Sequence, residues 1–65
     1  MVGKRIQQLR KESALSQKEL AEHLSVGHST LACYETDKRQ VPHDVLLALV
    51  KHFGVSMDYL FGLED

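Results

Sequence analysis

No apolar run in this 65-residue chain approaches the roughly 18 residues that a membrane-spanning helix needs. The N-terminus has no apolar core of the kind a signal peptide carries. Cysteine occurs once, at Cys33, which excludes an internal disulfide and fits a reducing, cytoplasmic setting. Proline also occurs once, at Pro42. There is no alternating strand pattern, no internal repeat and no low-complexity segment. A chain this short makes one small domain burying only about 60% of the surface its unfolded form exposes. That leaves little room for a cleft walled by a large core, so an enzyme is not expected.

Charge of one sign is missing too. The net charge is −1, which does not advertise a nucleic-acid partner. Its distribution says more. Residues 1–39 hold seven Lys/Arg against five acids, a surplus of two positive charges. Residues 40–65 hold one lysine against four acids, a surplus of three negative charges. A basic front and an acidic back suit a protein that meets an anion with one side only. Scattered, solvated charges would give the same count.

What is present is helical periodicity. Val2, Ile6 and Leu9 share one face of a first helix. "SQKE" (16–19) is a capping box that starts a second, short helix with Leu20, Ala21 and Leu24 inward. "SVGH" (25–28) breaks it, and a third helix runs from about His28 to Glu35 with Leu31 and Tyr34 inward. The polar loop "TDKRQVP" ends at Pro42, placed in a first helical turn where a missing N–H does no harm. Leu46, Leu49, Val50 and Phe53 form the stripe of a fourth helix, which Gly54 stops. Ser56 caps a fifth helix carrying Met57, Leu60 and Phe61, and Gly62 ends it. The run Val45–Val50 also reads as a strand, but Pro42 and the four-residue spacing favour helix. The expectation is a compact all-α, five-helix domain over residues 1–65, with helices four and five at about 43–62.

Helices two and three, over 17–36, have the tight separation of a helix-turn-helix. Leu20, Leu24, Val26, Leu31 and Tyr34 fill the seam, and Ala21 lets the helices approach. Along "VGKRIQQLRKESALSQKELAEHLSV", "STLACYETDKR" and "LLALVKHFGVSMDYLFG", the chain resembles the lambda-repressor/Cro-like (Xre-type) helix-turn-helix regulators of bacteria and phages. The resemblance implies a domain that binds double-stranded DNA as a dimer on a palindromic operator. Its third helix would enter the major groove by its N-terminal end.

Carried over by position, the resemblance makes Gly27, His28, Ser29, Ala32 and Cys33 base-facing. It makes Gln17, Thr36, Lys38 and Arg39 phosphate-contacting, and it makes Arg10 and Glu35 a structural ion pair. Positions 28, 29, 32 and 33 do share one helical face, opposite Leu31 and Tyr34. Three residues depart from the family pattern. Ser25 and Asp37 stand where glycine is usual, so they are expected to take a left-handed backbone. Gly27 replaces a capping Ser or Thr. Asp37 also brings a negative charge toward the phosphates.

Each reading has a plainer rival. His28 can donate to guanine or a phosphate, or simply face solvent on a helix end. Cys33 can meet a thymine methyl or pack in the core. Ser29 can bond a base edge or its own backbone. His23, His28, Cys33, His43 and His52 invite a metal, but on one helix His28 and Cys33 lie about 140° apart, so no metal or other cofactor is expected. Leu47, Tyr59, Phe61 and Leu63 suggest an interface through helix five and its surroundings, against the alternative of scattered apolar surface. The function expected is a sequence-specific transcriptional regulator, of repressor type. The alternative is an antitoxin-type or protein-interaction module that works through a protein partner.

Overall fold

The computed structural model describes residues 2–63. Five helices follow in order: α1 (Val2–Glu12), α2 (Gln17–Leu24), α3 (His28–Glu35), α4 (His43–Phe53) and α5 (Met57–Leu60). The all-α expectation holds, and residues 45–50 are helix, not strand. Both α1 and α2 pack on α3, α4 supports α2, and α5 closes against α1 and α4. Ile6, Leu20, Leu31, Leu49 and Leu60, one from each helix, are fully buried at the centre. The inward stripes of α4 and α5 differ slightly from expectation. Val45 is buried, Val50 and Phe53 are half-buried, and Phe61 points out, half-exposed.

The helix starts follow the sequence signals. Ser16 Oγ accepts from Glu19 N–H at 3.0 Å, and Glu19 Oε1 accepts from Ser16 N–H at 2.8 Å. This reciprocal pair satisfies two donors that a helix start leaves open. The Glu19 carboxyl is held below its ordinary value, first by the Ser16 N–H and then by the Ser16 hydroxyl. Pro42 sits one residue earlier than expected. It is the N-cap of α4, extended at φ −64°, ψ 157°, and not a residue of its first turn.

Helix stops are less ordinary. Ala14, Ser25 and Asp37 all take left-handed backbone, at φ 57°, 58° and 60°. Each closes the same double bond pattern. Leu15 N–H donates to the Arg10 carbonyl, Val26 N–H to that of Ala21, and Lys38 N–H to that of Cys33. The left-handed residue itself donates to a nearer carbonyl, which satisfies acceptors left over at a helix end. A residue with a Cβ gives up roughly 1–2 kcal/mol in this conformation. At Asp37 the side chain offsets part of that, because its Oδ1 accepts from Gly3 N–H at 3.1 Å. The charge of Asp37 was read from the sequence but this bond was not: one oxygen also caps the start of α1.

Gly3 brings α1 onto the end of α3. A Cβ at this position would lie 2.5 Å from the Tyr34 carbonyl oxygen and 2.6 Å from that of Glu35. Both are backbone atoms, so the helices would have to part. The close approach sets the height at which α3 sits on α1.

Candidate nucleic-acid interface

The hydrophobic side of α3 is short. Only Leu31, Tyr34 and Glu35 of its eight residues are buried. Thr30, Ala32 and Cys33 are half-buried, while Gly27, His28 and Ser29 are exposed. The N-terminal end of the helix therefore projects from the body with its N–H groups open. Gly27 is the N-cap, with extended backbone and no side-chain bond. The half-burial of Cys33 lies between the two sequence readings: the thiol is neither core nor fully presented.

Among the described residues, Glu35 is the one charged side chain in the core, 4% exposed as a residue. Arg10 Nε meets its Oε2 at 2.6 Å, and Arg10 Nη2 donates to its Oε1 at 3.3 Å. Arg10 Nη1 also donates to the Leu15 carbonyl at 2.9 Å, fastening the α1–α2 turn. Ion pairing and hydrogen bonding together make a buried carboxylate tolerable. Among the described residues, no buried side-chain polar atom lacks a partner.

Gln17 joins this pair to the exposed end of α3. Its Nε2 donates to Glu35 Oε1 at 3.0 Å, and its Oε1 lies 3.1 Å from His28 Nε2. Arg10, Glu35, Gln17 and His28 thus form one chain from the core to the surface. Sequence reasoning placed all four residues but not the chain. The signal available was only the spacing of two polar residues, at the start of α2 and the start of α3, across a tight turn.

The remaining candidates lie past the end of α3. Thr36 Oγ1 donates to the Ala32 carbonyl at 2.9 Å. A donated bond to a phosphate therefore requires that hydroxyl to rotate away from its own helix. Lys38 and Arg39 are exposed, with backbone N–H groups directed to the Cys33 carbonyl. Arg39 also borders a groove of about 420 Å³ lined by Val2, Val41, Leu46 and Phe61. Leu47, Phe61 and Leu63 are exposed, whereas Tyr59 is half-buried under the Arg5 guanidinium, 4.3 Å from its ring centre. Among the described residues, no three His, Cys, Asp or Glu side chains could hold one metal ion, and no helix is long and apolar enough to cross a membrane.

Two short helices crossing at a tight turn, the second with its N-terminal end presented, define a helix-turn-helix domain. The helix-turn-helix domain family matches residues 3–65. The HTH-type transcriptional regulator ImmR of Bacillus subtilis (strain 168) is 41% identical over 64 residues, 98% of this chain and 50% of that protein. The P22 c2 repressor, solved in complex with a synthetic operator, superposes with a TM-score of 0.89 at 28% identity, over 98% of this chain and 97% of that one. SinR, a master regulator for biofilm formation solved in complex with DNA, gives 0.82 at 35% identity, over 94% and 98%. The chain belongs to the helix-turn-helix domain family, in its lambda-repressor/Cro-like branch of transcriptional regulators. It spans about half the length of ImmR.

Proposed function

We propose that this chain binds double-stranded DNA sequence-specifically and represses transcription as a homodimer on a palindromic operator. The observation that carries the reading is the asymmetry of α3. Its second half is locked into the core by Leu31, Tyr34 and Glu35, while Gly27, His28 and Ser29 stand open at its start. A helix so held can lay its N-terminal end against base edges. Ala32 and Cys33, half-buried further along the same face, supply small apolar contacts to thymine methyl groups. Gln17 keeps one amide hydrogen beyond the bond to Glu35, and its backbone N–H lies at the start of α2, so it can meet a phosphate. Lys38, Arg39 and a rotated Thr36 would add backbone contacts. The solved operator complex of the P22 c2 repressor and the DNA complex of SinR support this mode by similarity.

Dimerisation would pass through α5 and its surroundings, where Leu47, Phe61 and Leu63 are exposed. A domain this small offers few base contacts, and a two-fold pair doubles the sequence read. The same apolar residues favour a second reading, in which the chain works mainly through a protein partner. Selection of binding sites from random DNA tests the proposal. The expected result is an enriched motif made of two inverted half-sites. Failure to enrich any sequence, with a second protein co-purifying instead, would favour the partner reading.

A further inference from the structure

The chain of bonds from Arg10 to His28 fixes more than position. Glu35, ion-paired to Arg10, is a carboxylate and can only accept hydrogen bonds. The nitrogen end of the Gln17 amide must therefore face Glu35 Oε1, as it does at 3.0 Å. That turns the amide oxygen toward His28 Nε2, 3.1 Å away. An amide oxygen has no proton to give, so the proton in this bond sits on Nε2. In a neutral imidazole one nitrogen carries the hydrogen and the other is a bare acceptor. Nδ1 of the exposed His28 ring is then the acceptor.

We propose that His28 is a specificity-determining residue that reads a base edge as a hydrogen-bond acceptor, locked in its Nε2–H tautomer by the Arg10–Glu35–Gln17 chain. The inference rests on the DNA-binding function proposed above. Its chemical consequence is definite. In the major groove, adenine N6 and cytosine N4 are donors, whereas guanine presents N7 and O6, both acceptors. The base opposite His28 is therefore adenine or cytosine. Guanine there sets two acceptors against each other. This reverses the donor role toward guanine that a histidine at this position suggests from sequence alone. It also explains how one plain recognition helix discriminates: its orientation is set by a buried ion pair that never touches DNA.

Two measurements test the proposal. A long-range proton–nitrogen spectrum of the free full chain, near pH ~8 where a histidine ring is ordinarily neutral, reports the His28 tautomer directly. The Nε2–H form is expected in the wild type and a mixture in Gln17→Ala. A dominant Nδ1–H form in the wild type would overturn the lock. The second measurement uses the duplex enriched from random DNA, with each base pair in turn at every half-site position. One position should favour adenine or cytosine over guanine by roughly 3- to 10-fold, the worth of about one hydrogen bond. That preference should vanish in His28→Ala and shrink in Gln17→Ala. A position whose preference depends on His28 but favours guanine would refute the acceptor role. So would an enriched site at which no position responds to His28, although DNA binding itself would then stand. If no sequence is enriched at all, the proposed function fails first, while the ring spectrum still reports on the lock.

Discussion

Replacing Arg10 with methionine removes the cation from the core pair and leaves Glu35 behind. The Glu35 side chain is 0% exposed and that of Arg10 only 11%, so water cannot take the lost partner's place. Only the Gln17 amide would still donate to the carboxylate. Breaking a buried pair on one side costs about 3–5 kcal/mol. At roughly 0.05–0.15 kcal/mol per residue, a domain of this length has a total stability of only about 3–10 kcal/mol. Arg10→Met should therefore consume about half of the stability or more. The reverse holds for the double change Arg10→Met/Glu35→Leu. It removes both charges and fills the space with apolar volume, so it should recover most of the loss. Urea unfolding followed by circular dichroism measures all three proteins. A loss under about 1 kcal/mol for Arg10→Met, or a double variant no more stable than the single one, would refute the buried-pair argument.

Three smaller predictions follow from the backbone. Gly3→Ala should destabilise the domain by about 1–3 kcal/mol, because the new Cβ meets backbone oxygens of Tyr34 and Glu35 and the helices must separate; an unchanged urea midpoint would contradict it. Ala14→Gly should stabilise by about 0.5–1 kcal/mol, since Ala14 is exposed and left-handed with only a methyl group to lose, and a lower melting temperature would show that the strain is not there. Ser16→Ala should cost about 1 kcal/mol through loss of the cap. In the same variant the Glu19 carboxyl should rise only part of the way toward its ordinary value, seen by NMR titration, because the backbone N–H of residue 16, the larger cause of the lowering, remains. The sign is that of a depressed carboxylate: its stabilising contribution is present above the ordinary value and is lost as pH falls through the folded value.

The fold was legible because local signals agreed with one another. The capping box at Ser16, the stop at Gly54 and the apolar spacing of α1 and α4 each marked a helix boundary. The left-handed backbone of Ser25 and Asp37 was also foreseeable, from residues standing where glycine is usual. Ala14 was not, because alanine ordinarily favours helix and nothing beside it marks a turn. Gly3 was equally silent: a glycine inside a helical pattern does not say which backbone it approaches. At the site, types and positions could be read, but partners could not. The sequence showed the charge of Asp37 but not its bond to Gly3, and the hydroxyl of Thr36 but not its bond to its own helix. Long-range side-chain pairing depends on how helices cross, and that geometry leaves no periodic trace in a single sequence.

On the proposed function, the open start of α3, braced from the core, is the surface that meets DNA. Amide NMR of the chain titrated with its selected duplex measures this residue by residue. The largest shifts should fall on Gln17, on residues 27–33 and on Lys38 and Arg39, with Val45, Leu46 and Leu49 little changed. Shifts concentrated instead on Leu47, Phe61 and Leu63, with α3 silent, would contradict it.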